Sequence, residues 1–82
     1  SVNAPDGNII KAEKIIQIFK TKNIKQGLKS DLYHACRCNL FPSAKDFYSA
    51  LDTLAEYGYV AYEDVTAANN KKAQMVHVNP NI

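Results

Sequence analysis

The sequence is short of the features that mark many specialised chains. It holds two cysteines, Cys36 and Cys38, one residue apart, where a mutual disulfide would be badly strained. A disulfide-framed scaffold is excluded, and this cysteine usage fits a reducing, intracellular compartment, read here as cytoplasmic. No apolar run approaches the roughly 20 residues of a membrane-spanning helix, and the first residues lack the basic-then-apolar order of a signal peptide. No membrane partner is therefore expected. Three glycines in all supply no glycine-rich phosphate loop, and there is no nucleophile elbow and no carboxylate pair with a reason for a raised pKa. So small a core leaves little room for a dedicated pocket. The domain is read as non-catalytic, with no cofactor and no small-molecule substrate.

What is present suits one small folded unit. Eighty-two residues with 46% apolar and 22% charged side chains are too hydrophobic for a disordered chain. At this size folding removes about 60–65% of the unfolded chain's surface from water. The net charge of +2 is mild, but it is unevenly placed. From residue 11 to 29 six lysines (Lys11, Lys14, Lys20, Lys22, Lys25, Lys29) face Glu13 alone, a net +5. From 30 to 64, Arg37 and Lys45 face Asp31, Asp46, Asp52, Glu56, Glu63 and Asp64, a net −4. Such segregation points to a polyanion on one side of the molecule.

The chain begins with Ser, which reads as a piece cut from a longer protein, and residues 1–8 read as a leader or linker before a domain over 9–79 and a short tail over 80–82. Ala12, Ile15, Ile16 and Phe19 recur at the helical period from about Asn8 to Lys22. Asn23 to Gly27 breaks that helix, and Ile24 and Leu28 flank a very short strand. Ser30 is placed to cap a second helix, with Asp31 in its first turn and Leu32, Ala35 and Cys36 inward. Pro42 ends it. Ser43-Ala-Lys-Asp46 is a capping-box variant that opens a third helix, from about Ala44 to Tyr57, with Phe47, Ala50, Leu51 and Leu54 buried and Gly58 as the left-handed stop. Tyr59-Val-Ala-Tyr-Glu and Gln74-Met-Val-His-Val read as strands of a hairpin. Its long tip carries Asn69, Asn70, Lys71 and Lys72. Phe19, Phe47 and Tyr59 are assigned to the core. The fold class is α+β: helix, short strand, helix, helix and a two-stranded hairpin.

This order resembles a winged helix-turn-helix domain. The segment from Phe41 to Val60, in which a helix ending Leu-x-x-Leu-x-x-x-Gly-aromatic-Val runs straight into the hairpin, is similar to the C-terminal winged-helix domains of primase-helicase and replication proteins of phages, plasmids and other mobile elements. The resemblance implies DNA as partner, duplex or forked and bound weakly and salt-dependently, alongside other domains of a parent replication protein. It places the third helix in the major groove and the wing on the backbone. On this sequence that implies Ser43, Lys45, Tyr48 and Ser49 on the helix and Asn69, Asn70, Lys71 and Lys72 on the wing. Lys29 and Ser30, at the start of the second helix, would hold a phosphate.

The third helix departs from that pattern. Residues 43–57 hold Lys45 against Asp46, Asp52 and Glu56, with no Arg, Asn or Gln to read guanine or adenine. Base-specific readout is disfavoured, and a backbone-directed mode through lysines, or docking of a protein on the acidic third helix, fits better. A stand-alone transcription regulator would need a dimer interface and a base-reading helix, and the sequence displays neither plainly. His34, Cys36 and Cys38 invite a zinc reading, but positions two apart on a helix point to nearly opposite sides. Cys36 is read as a small core residue and Cys38 as a helix-end residue. Among the aromatics, Tyr48 is the candidate for stacking on a base.

Overall fold

A computed structural model describes residues 7–81. The expected leader lies outside the described residues except for Gly7, which already opens the first helix, and Asn8, which continues it. The chain is a small α+β domain: α1 (Gly7–Thr21), β1 (Gln26–Leu28), α2 (Lys29–Cys36), α3 (Ala44–Glu56), β2 (Val60–Thr66) and β3 (Lys72–Val78). The three strands form one antiparallel sheet in the order β1-β3-β2.

Helices α1 and α3 end where the sequence offers a left-handed residue, whereas α2 ends at Arg37 with φ −59°. After α1, Asn23 takes φ 56°. Its N–H donates to the Lys20 carbonyl at 3.3 Å, and that of Ile24 to the Phe19 carbonyl at 2.9 Å. After α3, Gly58 takes φ 81°, the Gly58 N–H donates to Ala55 at 3.1 Å, and the Tyr59 N–H donates to Leu54 at 2.9 Å. Both are Schellman turns, with Asn doing at one end what Gly does at the other.

At its other end α3 is capped as its sequence requires. The Ser43 hydroxyl accepts from the Asp46 N–H at 3.4 Å and donates to the Asp46 carboxylate at 3.1 Å. Ser30, by contrast, is not a cap. The chain enters α2 directly from β1, whose last residue, Leu28, is paired with Met75 and holds extended backbone at the cap position without a side-chain bond. Ser30 is thus the second residue of the helix.

The core lies between the helices and one face of the sheet. Ala12, Ile15 and Phe19 of α1, Leu32 and Cys36 of α2, and Phe47, Ala50, Leu51 and Leu54 of α3 meet Val60 and Val76 of the hairpin. Phe41, in the loop before α3, is also fully buried and sits edge-on to Phe47 with ring centroids 5.5 Å apart. Tyr59 does not join them. It is 41% exposed because it completes the Schellman turn, and strand alternation then gives the inward position to Val60. β1 approaches α2 closely: a Cβ on Gly27 would lie 2.9 Å from Leu32 Cδ2. No helix among the described residues is long and apolar enough to cross a membrane.

Candidate nucleic-acid interface

The register of the hairpin decides what faces the helices. Val60 lies opposite Val78, Tyr62 opposite Val76, Asp64 opposite Gln74, and Thr66 opposite Lys72. These share one face, and it grades from apolar beside the core to polar toward the loop. Where the helices stop covering it, α2 and α3 contribute Lys29 and Tyr48.

Lys29 is the first residue of α2. Its ammonium lies 4.8 Å from the ring centre of Tyr48 and 4.9 Å from that of Tyr62, and it donates to Gln74 Oε1 at 3.1 Å. Both rings attract the cation through their electron-rich faces. Each partner is itself held. The Gln74 amide donates to Asp64 Oδ1 at 3.4 Å, and the Tyr62 hydroxyl donates to Asp52 Oδ1 at 2.5 Å. Burial, together with the hydrogen bond to Asp52 and its negative charge, pushes the Tyr62 phenol far above its ordinary pKa. It stays a neutral donor at physiological pH.

Beside this cluster opens a shallow groove of about 340 Å³, with Lys29, Ser30 and Tyr48 on the helical side and Lys72, Ala73 and Gln74 on the strand side. Lys29 donates to Gln74 there and has three ammonium hydrogens. The two carboxylates behind the groove accept from Tyr62 and Gln74, and among the described residues neither forms an ion pair with the cations at its mouth.

Of the residues singled out in the sequence, the fold gathers Lys29, Ser30, Tyr48 and Lys72 into this groove. Asn69, Asn70 and Lys71 lie next to it in the exposed loop 67–71, which is closed by an Ala67 N–H bond to the Lys71 carbonyl at 2.7 Å and an Asn70 N–H bond to the Ala67 carbonyl at 3.0 Å. Lys72 is not part of that tip; it is the first residue of β3, opposite Thr66. Ser43 and Lys45 lie elsewhere, at the start of α3. There Ser43 is committed to its cap and Asp46 faces Lys11 of α1 at 4.0 Å. Ser49 is exposed on α3 and does not line the groove.

The lysines of the first helix do not form one cationic face. Lys11 meets Asp46, and Lys22, just past the end of α1, donates to the Ala35 carbonyl of α2 at 2.8 Å. Asp52 is expected from the sequence on the solvent-facing side of the third helix, and there it holds Tyr62; Gln74, Tyr62 and Asp64 carry no site reading in the sequence. Alternation carried through both strands would have set Tyr62, Asp64, Lys72 and Gln74 on one face; their meeting with Lys29 and Tyr48 is tertiary and has no local signal.

Among the described residues no group of three or more His, Cys, Asp or Glu side chains is placed to hold a metal ion. Cys36 is buried in the core, His34 is exposed, and Cys38 lies past the end of α2. No protein-family model and no curated protein matches this sequence.

Proposed function

We propose that this chain is a nucleic-acid-binding module of the winged-helix type, an accessory domain of a replication or helicase-type protein, that grips DNA through its phosphates. The observation that carries the reading is the convergence of Lys29, Ser30, Tyr48 and Lys72 on one groove, flanked by a loop that adds Lys71. The arrangement supplies point charges and hydroxyls along an edge, the chemistry that positions a protein on a backbone. It supplies little for reading bases. On the outward face of α3, Asp52 is occupied by Tyr62, Glu56 is another anion, and Tyr48 is half-buried beneath Lys29.

Titration of labelled duplex and forked DNA at several salt concentrations tests this. With Lys29, Lys71 and Lys72 each neutralising a phosphate, log affinity falls against log salt with a slope of about −2.7. Replacing Lys71 and Lys72 with Ala weakens binding to every sequence alike and brings the slope to about −0.9. Absence of binding at low salt, or binding indifferent to salt, refutes the proposal. Binding of a protein partner through Lys45, Asp52 and Glu56 alone would replace it with docking on α3.

A further inference from the structure

Four large apolar side chains stand exposed among the described residues: Ile9, Ile10, Tyr57 and Tyr59. Three of them, Ile9, Tyr57 and Tyr59, line a single groove of about 680 Å³ between α1 and the turn after α3, floored by Ala12, Ile16 and Leu54. Ile10, 55% exposed, is the neighbouring residue of α1. The groove shares no lining residue with the Lys29 site. Apolar side chains gathered in one groove are the kind of surface on which a partner would gain by burial.

The rim tells what that molecule is. Glu13 and Lys20 both line the groove and both are exposed. They lie seven residues apart on one stripe of α1, about 10 Å along the axis. Neither makes an ion pair among the described residues, where the pairs are Lys11 with Asp46 and His77 with Glu63. One anion and one cation, symmetrically placed about Ile16 and Gln17, complement their own image after a half turn.

We propose that the groove is the contact of a symmetric homodimer, in which α1 of one copy lies antiparallel on α1 of a second copy about a two-fold axis near Ile16 and Gln17. In such an isologous contact each residue meets the residue that the rotation exchanges with it. Glu13 of each copy then faces Lys20 of the other, and the dimer contains this contact twice. The same rotation places apolar surface on apolar surface. Tyr59 sits at the C-terminal end of α1, because the Asn79 N–H donates to the Tyr59 carbonyl at 2.8 Å while the adjacent Val78 N–H donates to the carbonyl of Lys25, just beyond α1, at 2.9 Å. An antiparallel second copy brings its first α1 turns, with Ile9 and Ile10, to that end, beside Tyr57 and Tyr59. The two tyrosine rings, with centroids 6.1 Å apart, form the kind of amphipathic surface that protein interfaces favour.

Sedimentation velocity on the full chain across a concentration series tests the dimer without DNA, so the result is independent of the nucleic-acid reading. The wild type shows a monomer–dimer equilibrium. Glu13→Lys or Lys20→Glu sets like charges in both contacts and weakens dimerisation about tenfold. The double variant regains it, and an equimolar mixture of the two single variants forms mixed dimers. Tyr59→Ser also weakens the dimer. A wild type that stays monomeric at every concentration overturns the proposal. So does a dimer indifferent to either charge reversal, or a double variant no better than the singles.

Discussion

Lys29 shows how a single residue can be both exposed enough to bind and too well held to be a free surface charge. Two tyrosine rings and Gln74 fix its ammonium, and Tyr62 is in turn fixed by Asp52. Removing that last link, Tyr62→Phe, costs about 1 kcal/mol in chemical denaturation. The same contact has a pH signature. The folded phenol titrates well above its ordinary value of 10.0, chiefly through burial and then through Asp52. Its contribution is therefore complete below the unfolded tyrosine's pKa of about 10 and is lost as pH rises above it. Denaturation curves of the wild type should lose stability faster than those of Tyr62→Phe on that alkaline limb; parallel loss would contradict the assignment. The cysteines differ as sharply. Burial, partly offset by Lys22 and reinforced by Cys38, pushes the Cys36 thiol up to about 11. A thiol reagent at neutral pH should modify Cys38 in the native protein and reach Cys36 only when the fold opens, as mass spectrometry of the labelled sites would report.

At the scale of elements, the ends of helices are the best-determined local structures. Gly58→Ala puts a side chain at φ 81° where nothing lies within 4 Å of the added Cβ, so its cost is conformational and about 1 kcal/mol. Ser43→Ala removes a cap and costs a similar amount, about 1 kcal/mol. Thermal or chemical denaturation checks both. These positions were legible in the sequence because caps and left-handed stops depend on neighbours within a few residues. So were the element order and the buried faces of α1 and α3. Ser30 does not cap α2, although a polar residue near a helix start is the ordinary cap, because β1 pairs with β3 up to Leu28 and delivers the chain into α2 without one. Tyr59 reads as core from its apolar ring, but its position directly after Gly58 leaves it exposed. Phe41, on no periodic stripe, had no sequence signal for its burial against Phe47. Four of the groove's residues, Lys29, Ser30, Tyr48 and Lys72, were legible one by one but not as a site. Lys29 and Gln74 are separated by 45 positions, and only the sheet register brings them together.

Taken whole, the molecule keeps its two open surfaces apart. One edge carries Lys29, Lys71 and Lys72 around a polar groove, and the α1 groove is apolar with a self-complementary rim. The sequence's lysine-rich first segment suggested a cationic α1, but its charges are distributed: some are tied to Asp46 and to α2, and one lies on the rim of the apolar groove. The positive edge is made by the start of α2 and the hairpin. That division predicts that Lys71→Ala/Lys72→Ala weakens DNA binding while leaving self-association unchanged, and that Glu13→Lys does the reverse for self-association, as parallel titration and sedimentation would show. The most direct test of the central assignment is the map of backbone amide shifts when duplex DNA is added at low salt. The largest changes should fall on Lys29, Ser30, Tyr48, the 67–71 loop and Lys72 to Gln74. Changes confined to Lys45, Asp52 and Glu56 on α3, or no change at all, would contradict that assignment.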